Sequence, residues 1–190
     1  MAGDEEVSRL VRAVRDVDLR LRADMRRDFD RDLPLAELLF DRWERARALG
    51  FGEGASIYHA AYVYGDVRVG EHSWIGPMVI LDGSHAPIEV GHHCSISAGV
   101  HVYTHDTVAW ALSGGAQPAA GGPVSIGDCT HVGAQTVISH GSAIGDHCVI
   151  GAHSFVNADI APFSVAYGAP ARVRGRVVVD DDGVPRLEHD

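Results

Sequence analysis

The sequence contains no lysine. All 16 of its basic residues are arginine, which excludes Schiff-base and lysine-nucleophile chemistry. Cysteine is scarce: Cys94, Cys129 and Cys148 are odd in number and form no CxxC pair, which argues against a disulfide framework or a zinc knuckle. No apolar run long enough for a membrane span or a signal segment comes after the acidic opening Met1–Glu6. The expectation is a cytoplasmic protein that engages no membrane. Positive charge is in deficit as well, with 26 acidic against 16 basic residues and a net charge of −10, so no nucleic-acid partner is expected. From Val69 to Ala171 there is neither arginine nor lysine.

The residues that are present suit one folded domain. The 190 residues are 46% hydrophobic and 22% charged, enough to bury a real core. Residues 1–52 read as an N-terminal helical segment. Val7, Leu10, Val11, Val14, Leu21, Met25 and Phe29 recur at helical spacing among Arg and Asp. A second short helix is expected after Asp32, with Pro34 in its first turn. It would carry Leu35, Leu38, Leu39 and Trp43 on one side and end at Gly50 and Gly52. These helices either cover the first part of the chain beyond Gly52 or add to a subunit interface or a substrate rim.

From Ile57 onward the chain repeats. Aliphatic residues fall six apart at Ile57, Val63, Val69, Ile75 and Leu81, again at Val90, Ile96 and Val102, and again at Ile126, Val132, Ile138, Ile144, Ile150 and Val156. Four residues after most of them sits a small or β-branched residue, Cys94 and Cys148 among these. A period of six fits neither a helix nor a lone strand. It fits a three-sided solenoid with eighteen residues per coil. Ile57, Ile75, Ile96, Val132 and Ile150 then stack on a first face. Val63, Leu81, Val102, Ile138 and Val156 stack on a second, and Val69, Val90, Ile126 and Ile144 on a third. The residue after each third-face position is Gly (Gly70, Gly91, Gly127, Gly145), as expected where a corner needs positive φ or close backbone approach. The fold class is mainly β: a parallel β-helix of about five coils, roughly 24 Å tall at a strand spacing of about 4.8 Å, with an N-terminal helical segment and a protruding loop.

The period breaks twice, and both breaks fall on the corner after the second face. Three extra residues come after Leu81, and eighteen lie in the loop 106–123. His85 and Asp106 are the ionisable residues in the inward four-on position, and they sit at these breaks. Two consecutive coils bulging at one corner, on a rigid scaffold, mark a functional site. His105 stands at the root of the long loop, and Ser84 is its equivalent one coil earlier, about one strand spacing away.

The repeats, with Gly127-Asp-Cys-Thr-His-Val-Gly133, Ile150-Gly-Ala-His-Ser-Phe-Val156 and Val165-Ala-Tyr-Gly-Ala-Pro-Ala-Arg-Val173, resemble the hexapeptide-repeat acyltransferases with a left-handed β-helix. Within that family they resemble the maltose, galactoside and nodulation O-acetyltransferases. Trp74-Ile-Gly-Pro, Leu81-Asp-Gly-Ser and Tyr103-Thr-His-Asp-Thr-Val-Ala-Trp-Ala-Leu-Ser-Gly-Gly115 look closer to acyltransferases encoded with surface-polysaccharide genes. The resemblance covers Ile57 to Val173, within an acyltransferase domain 53–173. It implies an acyl-CoA co-substrate, acetyl-CoA first, with no tightly bound cofactor and no metal, and a homotrimer. It implies transfer to a sugar-like hydroxyl by direct attack, with His105 as the catalytic base. A hydroxyl attacking a thioester must lose a proton, and imidazole is suited to take it. Asp82, Ser84, His85 and Asp106 would meet the acceptor, Asp82 matching an acidic stretch that contacts acceptor sugar in the galactoside enzymes. Coenzyme A in the family lies between neighbouring subunits toward the C-terminal coils. Carried over, that groove falls on His131, Gly133, Ala134, Ala152, Asn157, Ala158, Arg172 and Arg174. Three of these positions depart from the family: Asn157-Ala158 replaces a Thr-Lys pair, and His131 replaces an aromatic residue.

Other readings share the fold. The acceptor of an N-acyltransferase would be the amine of an amino sugar or of a nucleotide-linked amino sugar. Gamma-class carbonic anhydrases bind zinc through a His-x4-His pair, to which His101-x3-His105 is the nearest approach here. A non-catalytic assembly role is the third. In the tail 174–190, Asp182-Gly183 between apolar runs suggests a hairpin, with Pro185 and the acidic end favouring a frayed edge.

Overall fold

The N-terminal stretch is dense in Arg, Leu, Ala and acids, good helix formers in close succession, and the chain winds into α1 (Ala2–Phe29). The computed structural model describes residues 2–180 and 182–189. Asp4 and Glu5 in the first turn of α1 and Arg26 and Arg27 in its last complement the helix dipole. Ion pairs Arg22–Asp18 at 3.0 Å and Arg27–Asp24 at 2.7 Å run along its surface. Val7, Leu10, Val14 and Val17 are exposed on it. After Pro34, whose φ of −58° suits a helix start, α2 (Leu35–Leu39) makes little more than one turn.

Here the structure departs from the helical pattern of the sequence. Phe40 is extended (φ −120°, ψ 131°), so the one helix expected from Pro34 through Trp43 is two. The second, α3 (Arg42–Ala48), belongs to the other compact unit, which begins at Arg42. The boundary expected after residue 52 therefore falls at Asp41. The reason is burial: Ala46 is fully buried, and Arg45 donates to the carbonyl oxygens of Tyr58 and of Ala61, closing the first coil. Phe51, six residues before Ile57, is buried in line with Val69 and starts the repeat one position early.

The three faces assemble in the expected register. Ile57 pairs with Ile75, Ile75 with Ile96, Ile96 with Val132 and Val132 with Ile150, all parallel. On the second face Val63, Leu81, Val102, Ile138 and Val156 pair in succession in the same way. On the third, Val69, Val90, Ile126 and Ile144 do so, with Ile160 one level further. All of these except Val63 are buried. Apolar side chains at every sixth residue thus form three columns facing one interior, a stack of about five coils.

Small polar residues in the four-on positions also face inward, and their hydrogen bonds explain them. Ser73 donates to the carbonyl of Gly91 (2.7 Å) and Thr130 to that of Gly145 (3.0 Å). The thiols of Cys94 and Cys148 contact the carbonyls of Gly127 (3.0 Å) and Ala161 (3.1 Å). Each satisfies a corner carbonyl that the ladder leaves over.

The corner glycines serve close approach, not positive φ. A Cβ on Gly127 would lie 2.6 Å from the backbone nitrogen of Asp146, and one on Gly70 would lie 2.7 Å from the carbonyl carbon of Gly91. The left-handed residues come two positions later and are mostly not glycine: His72, His93, Cys129, His147 and Phe163 have φ between 53° and 58°.

At the C-terminal end Ser164–Tyr167 adds a last parallel strand beside Val149–Ile150. The chain then reverses, and Arg172–Val179 pairs antiparallel with it. Pro185–His189 pairs antiparallel with Arg172–Val179, so the edge expected to fray is a bonded strand, with Val177 opposite Leu187.

Candidate active site

The two irregular coils change which side chains enter the interior. The inward positions expected for His85 and Asp106 are taken by Ile88 and Val124, which pair with each other and are buried, while neither His85 nor Asp106 is buried. An apolar residue two before the next repeat position fills the corner at lower cost than an ionisable one, so the extra residues are extruded as bulges. Asp66 alone lies opposite the run Ser84–Pro87, because Gly65 pairs with Gly83 and Val67 with Ile88.

Thr104 joins the two bulges. It is fully buried, and its hydroxyl donates to the carbonyl of Asp82 at 2.8 Å while the backbone N–H groups of His85 and Ala86 point to it at 3.4 and 3.3 Å. Immediately after it the long loop departs. His105 pairs antiparallel with Gly121 and Asp106 with Ala120, and Gly122 N–H donates to Thr104 O at 3.0 Å. Between these strands lies the short helix α4 (Val108–Leu112), on which Val108, Trp110 and Leu112 are exposed.

Sequence spacing sets Ser84 beside His105. The ring that meets His105 is instead that of His85, with centroids 5.9 Å apart and planes at 26°. Ser84 turns to Asp82, whose Oδ1 accepts its hydroxyl at 2.5 Å and its N–H at 3.1 Å. His105 Nδ1 is buried with no hydrogen-bond partner among the described residues, which leaves Nε2 as the nitrogen able to meet a substrate. His101 is bound to the Tyr103 hydroxyl at 3.4 Å. No group of three His, Cys, Asp or Glu among the described residues has the arrangement of a metal site.

Asp106 is held on both oxygens. Oδ1 accepts Val108 N–H at 2.9 Å, and Oδ2 lies 2.8 Å from His140 Nε2. The bond from Val108, and after it that from His140, keeps this carboxyl below its ordinary pKa. His140 is the residue that sequence reasoning missed. The signal was available: it stands two positions after Ile138 on the second face, one coil beyond Thr104.

The residues assigned to coenzyme A are only partly brought together. Gly133, Ala134 and Ala152 stack at the corner after the first face, where a Cβ on Gly133 would lie 2.4 Å from Ala152 N and His153 N–H donates to Ala134 O at 2.9 Å. Arg172 and Arg174, both exposed, share a shallow cleft with Tyr167, Gly168 and Pro170. Asn157 and Ala158 lie one corner further round, past the second face. His131 departs from the set: it projects from the first face into a cleft under the C-terminal hairpin, with Cys129, His147, Val177 and Leu187. Burial raises the pKa of the Cys94 and Cys148 thiols, which makes them poor nucleophiles.

Residues 123–158 match the bacterial transferase hexapeptide family (six repeats). Over 51 residues the chain is 49% identical to galactoside O-acetyltransferase of Escherichia coli K12, covering 27% of this chain and 25% of that one. Over 46 residues it is 46% identical to dTDP-3-amino-3,6-dideoxy-alpha-D-galactopyranose 3-N-acetyltransferase of Aneurinibacillus thermoaerophilus, 24% of each chain. The chain thus spans about a quarter of the length of either relative. A solved hexapeptide-repeat-containing acetyltransferase of Vibrio cholerae, complexed with acetyl coenzyme A, superposes with a TM-score of 0.60 at 28% identity over 86% of both chains.

Proposed function

We propose that this chain, a hexapeptide-repeat protein of the bacterial transferase kind, is an acyl-CoA-dependent acyltransferase that moves an acyl group, acetyl first, to a hydroxyl of a sugar-like acceptor. The observation that carries it is His105: an imidazole at the junction of two bulges on a rigid coil, with Nδ1 buried and Nε2 left for chemistry. In this reading Nε2 takes the proton of the acceptor hydroxyl as its oxygen attacks the thioester carbonyl. The tetrahedral intermediate then expels the thiolate, which takes that proton back from the imidazolium. Attack is direct, consistent with the burial of the Cys94 and Cys148 thiols, which serve packing. Asp82, Ser84 and His85 line the acceptor side. Gly133, Ala134 and Ala152 let a pantetheine arm lie close to the backbone, and Arg172 and Arg174 pair with phosphate. The third arginine of that stretch, Arg176, is engaged by Glu188.

The oligomer in this reading is a homotrimer. Tyr62, Ile80, His101, Val137 and Phe155 form one row outside the second face, apolar except for His101, and a second copy would cover it. No described helix is long and apolar enough to cross a membrane, and an acyl-CoA donor with three free cysteines suits the cytoplasm. N-acylation of an amino sugar is the second reading, favoured by the likeness to the Aneurinibacillus N-acetyltransferase. A mass-spectrometric screen with acetyl-CoA against matched hydroxy and amino sugars tests both. Acetylation of the hydroxy member supports the first, acetylation of the amino member the second, and release of coenzyme A with no acceptor modified overturns both.

A further inference from the structure

One carboxylate ties the protruding loop to the scaffold. Asp106 takes the Val108 N–H at the start of α4 on one oxygen and His140 Nε2 on the other, at 2.9 and 2.8 Å. The first donor belongs to the loop. The second belongs to the next coil, just past the strand Val137–Ile138 that pairs with His101–Tyr103. The root is otherwise held by the pairs His105–Gly121 and Asp106–Ala120 and by Gly122 N–H on Thr104 O. Asp106 is the covalent neighbour of His105, so a bond that fixes its carboxylate also limits where the His105 ring can sit. The His140 side chain is 26% exposed and that of Asp106 41%, so the bond is half-covered and its histidine is the more enclosed partner.

The geometry points to His140 as a positioning residue: it holds Asp106, and through Asp106 it fixes the root of the loop and the imidazole of His105. Its role in turnover rests on the acyltransferase reading above. The bond needs a donor at Nε2, which neutral imidazole protonated there already supplies. A histidine on a carboxylate is also the pairing by which a general base is oriented. The two roles separate on one substitution, because glutamine can donate an amide N–H to Asp106 but cannot take a proton from a hydroxyl.

His140→Ala should lower kcat about tenfold or more, the scale of a misplaced catalytic group, with the dissociation constant of coenzyme A unchanged. His140→Gln should restore most of that loss. Amide hydrogen exchange of the free protein reads the clamp without turnover. His140→Ala and Asp106→Ala should each speed exchange across residues 105–122 and spare the strands at Ile75, Ile96 and Val132, and the double variant should add little to either. If His140→Gln is as inactive as His105→Ala, His140 is itself the base and the positioning role is overturned. If neither alanine variant speeds exchange in the loop, the clamp does not hold it and the proposal is overturned. Exchange needs no substrate, so failure of the acyltransferase reading would leave this result standing.

Discussion

The rings of His85 and His105 lie with centroids 5.9 Å apart and planes at 26°, one carried by the three-residue bulge and the other by the root of the long loop. Each bulge alone would present a histidine without a neighbour. Together, joined by Thr104, they place two imidazoles and the Asp82 carboxylate at one corner of adjacent coils.

His105→Ala should lose about 10²–10⁴-fold in turnover, the usual worth of one general base, while coenzyme A still binds. Steady-state rates beside calorimetry with coenzyme A check this. A variant that keeps about a third of the wild-type rate would give the proton to another residue.

Acceptor and donor should separate by position. Asp82→Asn or His85→Ala should raise the acceptor KM or lower kcat, with the dissociation constant of acetyl-CoA within about threefold of wild type. Arg172→Ala should weaken acetyl-CoA by about 1–3 kcal/mol through loss of a charge-assisted phosphate contact, with the acceptor KM little changed. Kinetics and calorimetry on the same three proteins decide it. Deletion of Ser84-His85-Ala86 with no effect on the acceptor would make the coincidence of the two bulges irrelevant to function.

Gly121→Ala should disturb the site without touching the interior columns. Its Cβ would lie 2.4 Å from His85 Cδ2 and 2.6 Å from Thr104 O, and the second contact is with backbone that cannot swing aside. The expected cost is about 1–3 kcal/mol, felt in the loop pairing and in kcat. Denaturant unfolding and turnover measure both. Unchanged activity would show that the His85–His105 arrangement is not needed.

The Asp106 carboxyl has a folded-state pKa below its ordinary value of 3.8, because Val108 N–H and His140 favour the charged form. A depressed acid contributes stability above its unfolded pKa and loses it as pH falls through the folded one. The stability that the Asp106 charge contributes should therefore persist at about pH 5 and fade only near and below the ordinary carboxylate range. The difference in unfolding free energy between the wild type and Asp106→Ala, measured from about pH 7 to about pH 3, tests the sign. A contribution that grew as the pH fell from about 5 to about 3 would refute it.

The columns of the β-helix were legible because a six-residue period is local: Ile57, Ile75 and Ile96 must face one interior whatever their neighbours do, and so must Ile126 and Ile144. The corner that carries the proposed site was legible too, as the place where the period fails. The break between α2 and α3 was not, because burial of Ala46 and the reach of Arg45 to the first coil outweighed a continuous helical pattern. Nor was the removal of His85 and Asp106 from the interior, since counting forward from Leu81 and Val102 cannot show that Ile88 and Val124 take the same places counted backward from Val90 and Ile126. Sequence alone thus determined the period, the faces and the bulged corner, all of which come from the spacing of apolar side chains along one chain. Only the tertiary structure decided that His85 meets His105, that His140 holds Asp106 and that His131 lies under the C-terminal hairpin. Those partners come from different coils, and which side chains touch across a coil depends on how each bulge leaves and re-enters the stack.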